Sequence, residues 1–235
     1  MPEHEEIYAL HADSYERMVA MQPKLGGELA SIRDYRGLDV VDLGAGTGRL
    51  SAELARDART LTALDRSPAM LAVLENRLSG MAGACEWRAL TADHRSLPLP
   101  DSSADLAVSG WSIGYVANTD QPDWRSSLEK VLSEIDRVLR DDGTAILFET
   151  LGTGVTEPVR YAFLQPYFAY LEREAGFSHR CIPMDYTFAS VEEAADRCGF
   201  FFGGGMAERI RSNGWRTVPE FAGVWWKHKR PQRGG

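Results

Sequence analysis

From Leu38 to Phe148 the chain alternates short β-rich apolar runs with stretches whose apolar residues fall three and four apart. Leu38, Val40, Val41 and Leu43 make the first run, closed by Gly44-Ala45-Gly46-Thr47-Gly48. Leu50, Leu54 and Ala55 follow at helical spacing, which predicts a helix starting near Thr47. A second run, Thr60–Leu64, ends at Asp65. Ser67-Pro68 reads as an N-cap with proline in the first turn of a helix that buries Met70, Leu71, Leu74 and Leu78 and stops at Gly80. Glu86–Leu90 and Ala104–Ser109 read as strands, with the rigid loop Leu97–Pro100 between them. Pro122–Leu139 reads as a long amphipathic helix, and Asp141-Asp142-Gly143 as a turn into a strand at Thr144–Phe148. Strand–helix units of this length predict an α/β, doubly wound, mostly parallel sheet with right-handed crossovers.

The flanks read differently. Tyr8 to about Ile32 predicts one or two helices, broken near Pro23 and Gly26-Gly27. Val155–Gly176 reads as an aromatic helix laid over the sheet as an insertion. Ser190 reads as the cap of a short helix to Cys198, broken at Gly203-Gly204-Gly205. Met206–Ile210 and Phe221–Trp226 read as two closing strands, a hairpin or an antiparallel edge, and Lys227–Gly235 as a solvated basic tail. The expected organisation is one domain: a helical cap at 1–36, a core at 37–150, a helical substrate insertion at 151–189, and a closing helix and strands at 190–228.

Composition narrows the partners. A chain of 235 residues suits one domain, and 44% hydrophobic with 26% charged residues is the profile of a globule. Thirty-four acids against 26 bases give a net charge of −8, which argues against a nucleic-acid binder. Three cysteines form no C-x-x-C pair, an odd count that suits a reducing cytoplasm. No apolar run is long enough for a membrane span, and Met1–Glu6 is unlike a signal peptide. A cytoplasmic protein without a membrane partner is expected.

The candidate chemistry lies at the carboxyl ends of the strands, where open α/β sheets bind ligands. Glycines after the first strand let a ligand approach the backbone. The spacing is not that of a dinucleotide fingerprint, which needs glycine where the chain has Arg49, and there is no G-K-[S/T] phosphate loop. Asp65, at the second strand end, suits a pair of vicinal ribose hydroxyls. Asp93, after the third, suits an exocyclic amino group, or caps a turn. Together these describe a nucleoside site without a pyrophosphate cradle.

Val40-Val41-Asp42-Leu43-Gly44-Ala45-Gly46-Thr47-Gly48 resembles motif I of the class I S-adenosylmethionine-dependent methyltransferases of small-molecule type. Asp65, Ala92-Asp93, Leu97–Asp101 with Asp105-Leu106, and Glu134–Thr144 extend the resemblance over roughly 37–150. It implies a seven-stranded Rossmann-like sheet and S-adenosylmethionine as cofactor, with S-adenosylhomocysteine as product. It places Gly44 and Gly46 behind the methionine portion, Asp42 near its amino group, and Asp65 with Arg66 at the ribose. Asp93 and His94 would lie at the adenine and Ser109 at the fourth strand end, with Tyr15 as a cover or as plain helix packing. Methyl transfer to O, N or C of a small metabolite by in-line displacement is the implied reaction.

After the fourth strand the chain reads Ser109-Gly110-Trp111-Ser112-Ile113-Gly114-Tyr115. This is neither the Asn/Asp-Pro-Pro-Tyr/Phe of base amino-methyltransferases nor a Pro-Cys nucleophile, and it lacks the aspartate of magnesium-dependent enzymes, so no metal is expected. Trp111, Tyr115, Tyr161 and Tyr167 are candidate acceptor-pocket walls, as aromatic walls suit ring-containing molecules. His94, Tyr115, Glu149 and His179 are candidate bases. Two rival readings stand beside transfer: a repurposed, non-catalytic S-adenosylmethionine binder, and a nicotinamide-dependent oxidoreductase on the same sheet.

Overall fold

The computed structural model of the chain describes residues 4–231. Its centre is a seven-stranded sheet in the order β3-β2-β1-β4-β5-β9-β6. The strands are β1 (Asp39–Leu43), β2 (Thr60–Asp65), β3 (Glu86–Thr91), β4 (Ala104–Gly110), β5 (Leu139–Thr153), β6 (Ser178–Pro183) and β9 (Glu220–His228). Every pairing is parallel except those of β9, which runs antiparallel to both β5 and β6. The period of two explains the near-continuous apolar strands. Val40, Leu106, Val108, Ile146 and Phe148 join one buried cluster, while Val41, Leu43, Ala107, Ala145 and Leu147 join the other. Both faces are therefore covered.

On one face lie α4 (Ser51–Leu54) and α5 (Pro68–Ser79), the latter capped by Ser67, whose side chain accepts the Met70 N–H. On the other lie α6 (Trp124–Val138) and α7 (Gln165–Arg173), with Tyr167, Phe168 and Trp225 fully buried there. β1 leads to β2 on one side and β4 lies on the other, so the strand order reverses beside β1.

A third, smaller core joins the two ends of the chain. α1 (His4–Leu10) and α2 (Ala12–Val19) contribute Ile7, Met18 and Val19. The segment between β6 and β9 contributes the rest through β7 (Tyr186–Thr187), α8 (Val191–Phe202), α9 (Gly204–Asn213) and β8 (Thr217–Val218). α3 (Gly26–Ile32) belongs instead with the sheet face, through Leu29.

Several expectations are corrected. The N-terminal stretch forms α1, α2 and α3, and Gly26-Gly27 open the third helix instead of breaking one. α4 is four residues long and begins at Ser51, because Thr47 to Leu50 is spent in turns. Only Gln165–Arg173 of the Val155–Gly176 stretch is helical, and 178–183 is an edge strand, so α7 is a crossover rather than an insertion. The true insertion lies between β6 and β9. Met206–Ile210 sits in α9, since glycine ends α8 at Gly203 (φ +92) but does not prevent a new helix directly after it. The turn at Asp141-Asp142-Gly143 is a bulge within β5, with Asp142 at φ +63. Lys227 and His228 end β9, and the rest of the basic tail from 232 lies outside the described residues.

Candidate functional site

The carboxyl ends of β1, β2 and β4 converge on the glycine loop. Gly44 (φ +68) and Gly46 (φ +55) both adopt the left-handed region that disfavours side chains. At Gly44 a Cβ would lie 2.2 Å from Ser112 Oγ, so that backbone must be bare for the β4 loop to close on it. Asp65 secures the loop from β2: one carboxylate oxygen accepts the Gly46 N–H and the other the Ser67 N–H, both at 2.8 Å. Ser109, at the end of β4, donates to the Leu43 carbonyl at 2.9 Å and contacts the Ser112 hydroxyl at 2.7 Å.

Against this wall lies a cavity of about 380 Å³, lined by Tyr8, Tyr15, Gly44, Gly46, Asp65, Arg66, Met70, His94, Trp111, Ser112 and Tyr115 among others. That is within the size range of small-molecule sites. His94 is buried, which lowers its pKa and keeps the imidazole neutral. A recess of about 30 Å³ continues from the cavity past Gly44 and Gly46 to Asp42, Arg49 and Trp111.

The recess is electrostatically unusual. Asp42 is 1% exposed; its Oδ2 accepts the Ser51 hydroxyl at 2.6 Å, and its Oδ1 has no partner. Burial pushes the carboxyl up to about 7. Arg49 stacks over Trp111, its guanidinium carbon 3.9 Å from the ring centroid. Burial lowers its pKa, opposed by Tyr186, Tyr15 and Glu220. Arg49 Nη2 and Trp111 Nε1 are likewise buried without a partner. Trp111 is held at φ +53, a position a bulky residue rarely takes, by its N–H to the Phe148 carbonyl and by ring stacking on Phe148.

Six residues singled out in the sequence lie elsewhere. Asp93 is not part of the cavity lining; both its oxygens are held by Arg95, which lowers its pKa to about 2. Ser109 lies beneath the cavity floor rather than in its lining. Tyr167 is in the core, its hydroxyl donating to Glu149 Oε1 at 3.4 Å, and Tyr161 stacks on Phe163 in a loop outside the cavity. Glu149 is buried behind Gly114, whose N–H it accepts at 2.8 Å, and burial raises it to about 7. His179 sits on edge strand β6, beside Glu172 and Arg160, away from the cavity. As acceptor walls or bases, Tyr161, Tyr167, Glu149 and His179 are corrected by position: none of the four lines the cavity or the recess.

Arg49 and Tyr8 were missed. In the sequence Arg49 breaks a dinucleotide spacing, and a basic residue one place after a glycine loop is the signal that points to it. Tyr8 lies on α1 and Tyr15 on α2, so the contact of their rings at 5.3 Å depends on the break between the helices and leaves no spacing signal in the sequence. Among the described residues no group of three or more His, Cys, Asp or Glu could hold a metal.

A family profile described as "Methyltransferase domain" matches residues 41–147. A malonyl-[acyl-carrier protein] O-methyltransferase of Pectobacterium atrosepticum is 33% identical over 144 residues, covering 61% of this chain and 51% of that protein. The YcgJ protein of Bacillus subtilis superposes with a TM-score of 0.60 at 16% identity, covering 88% of this chain and 98% of that one. The Haemonchus contortus phosphoethanolamine N-methyltransferase 1, in complex with phosphoethanolamine and S-adenosylhomocysteine, gives 0.54 at 22% identity over 94% of this chain and 44% of that one. The chain spans about half the length of the curated relatives it matches.

Proposed function

We propose that the chain is a class I S-adenosylmethionine-dependent methyltransferase that transfers a methyl group from this cofactor to a small organic acceptor, without a metal; the methyltransferase-domain match and the O-methyltransferase relatives support that reading. One observation carries the reading. The recess presents an unpartnered carboxylate oxygen, a guanidinium N–H and an indole N–H, all buried. These complement the ammonium and carboxylate of an amino-acid head, and a buried charge without a partner is costly. The neighbouring cavity has room for a nucleoside, with Asp65 on its wall.

In this reading Asp42 takes the ammonium, while Arg49 and Trp111 take the carboxylate. Asp65 accepts from the ribose hydroxyls, and His94 closes the adenine side. Tyr15 covers the cofactor from α2; it lines both the cavity and the recess. When bound, the cofactor supplies a methyl group already activated by its positive sulfur. The protein's own work is to align an acceptor, exclude water and take a proton, and alignment alone can contribute about 7–11 kcal/mol. Trp111 and Tyr115 wall the acceptor side. Three unpaired cysteines, the acidic balance and the absence, among the described residues, of any helix able to cross a membrane support a cytoplasmic enzyme without nucleic-acid partners.

The test is incubation with methyl-labelled cofactor and a fractionated pool of small metabolites. Label appearing in a low-mass fraction is expected. Tight cofactor binding with no label in any fraction would favour the non-catalytic binder instead.

A further inference from the structure

At the mouth of the cavity, three side chains from different parts of the chain form a continuous hydrogen-bonded line. Tyr8 from α1 and Tyr115 from the 3₁₀ turn Ile113–Tyr115 meet hydroxyl to hydroxyl at 2.7 Å, and both line the cavity. The Tyr115 hydroxyl also lies 3.1 Å from His4 Nδ1. The imidazole is fixed by stacking on Phe201 of α8, with ring centroids 4.4 Å apart and planes 4° from parallel. None of these contacts is needed to close the sheet.

We propose that Tyr8, Tyr115 and His4 are a proton relay that carries the acceptor's proton out of the pocket, and that the acceptor is a weakly acidic hydroxyl compound. This rests on the methyl-transfer reading above. Two polarities satisfy the line, and the relay is the one in which His4 Nδ1 accepts. If His4 Nδ1 accepts from Tyr115, the Tyr115 oxygen must accept from Tyr8. The Tyr8 oxygen then keeps a lone pair for the acceptor's proton. In the step, the acceptor O–H bond breaks and its proton goes to Tyr8. The Tyr8 proton passes to Tyr115 and the Tyr115 proton to His4 Nδ1, leaving an imidazolium. The acceptor oxygen forms its bond to the methyl carbon, and the carbon–sulfur bond breaks with its electron pair remaining on sulfur. His4 then releases its proton to water from its partly exposed position.

Electrostatics agree with this arrangement. Burial lowers the His4 pKa, opposed in part by a hydrogen bond to the Phe201 backbone, so the ring is neutral and able to accept at pH 7. Burial raises Tyr8 and Tyr115 above the ordinary phenol value, with Tyr15 and Asp65 acting on Tyr8 and Glu149 on Tyr115 in the same direction. A standing phenolate is therefore disfavoured, and the protons must move together. An acceptor already ionised at pH 7, such as a carboxylate, has no use for such a line.

The first measurement needs no acceptor: ¹⁵N NMR of the full chain with labelled histidine. A neutral His4 with its proton on Nε2 is expected, with the Nδ1 resonance shifted in Tyr115→Phe. A proton on Nδ1 would overturn the relay, because that nitrogen could not then accept. The second uses methyl-labelled cofactor with 2-naphthol and 2-naphthoate, one ring system bearing either group. Label on 2-naphthol is expected, falling about 10²–10⁴-fold in Tyr8→Phe and His4→Ala, with exogenous imidazole restoring part of the His4→Ala rate. In the wild type the rate levels off above the lowered His4 pKa, whereas in His4→Ala it keeps rising with pH. Label on 2-naphthoate at a rate unchanged in Tyr8→Phe would overturn the proposal. Calorimetric titration of S-adenosylhomocysteine separates the two readings. Binding retained alongside a proton on Nδ1 defeats the relay alone, and binding absent from every variant and the wild type defeats the methyl-transfer reading.

Discussion

The two halves of the ligand cavity are built by different means. The floor is backbone and short loops at the ends of β1, β2 and β4, held by the sheet register and by Asp65 bonding across to Gly46. The cover is side chains from α1, α2 and α8, which meet in a small core that shares none of its buried residues with the two faces of the sheet. At the floor a side chain on Gly44 would meet Ser112, and the Gly46 N–H is held by Asp65. The cover is aromatic, and with Tyr115 of the loop after β4 it makes the polar line Tyr8–Tyr115–His4. In the proposed reading the floor recognises the cofactor, while the cover, together with the β4 loop that carries Trp111 and Tyr115, shapes the acceptor side.

The sharpest way to break this division is at the floor. Gly44→Val places a branched side chain at φ +68 against Ser112, so it should abolish S-adenosylhomocysteine binding and lower Tm markedly, read by calorimetry and thermal melting. Next in size, Arg49→Met should weaken S-adenosylhomocysteine by about 2–5 kcal/mol. Binding of 5′-methylthioadenosine, which lacks the amino-acid head, should be unchanged. Equal losses for both ligands would mean that Arg49 only supports the fold.

A pH series sharpens the comparison further. Burial raises Asp42 on the floor, Glu149 in the core and Glu220 beside the cap each to about 7. Between pH 4 and 7 the folded chain therefore binds more protons than the unfolded one at these carboxyls. Their contribution is complete below about pH 4 and is lost as pH rises toward 7, on the order of a few kcal/mol for each group. Glu220→Gln should flatten part of that slope in melts taken from pH 5 to 7.5. An unchanged slope would show that Glu220 titrates normally.

The smallest effect is expected at the edge: His179→Ala should leave methyl transfer and cofactor affinity within about twofold, since its partners Glu172, Arg160 and Trp225 do not line the cavity.

The same division explains what was legible in the sequence. Val40–Leu43, Thr60–Asp65 and Ala104–Ser109 announce themselves because strands buried on both faces are apolar throughout and end in turn residues. Ser67 and Ser190 are read as caps because capping is a local event, and both side chains do accept the N–H three residues on. The chain after β5 is less legible because its pattern is not local. Tyr161, Tyr167 and Phe168 share an aromatic composition, yet only tertiary packing sends Tyr167 and Phe168 under the sheet and leaves Tyr161 outside. Met206–Ile210 has no period that separates helix from strand over five residues. Arg49 was legible as a residue but not as a site, since its meaning depends on Trp111 arriving from the end of β4 beside Asp42 of its own β1.

The central claim is that the strand-end recess and its cavity hold the adenosine and amino-acid ends of one ligand together. Calorimetric titration of S-adenosylhomocysteine into ligand-stripped wild type and Asp65→Ala tests it most directly. Saturable one-to-one binding in the wild type, weakened at least tenfold in the variant, is the predicted result. No measurable heat from well-folded wild type, or the same affinity in both proteins, would contradict it.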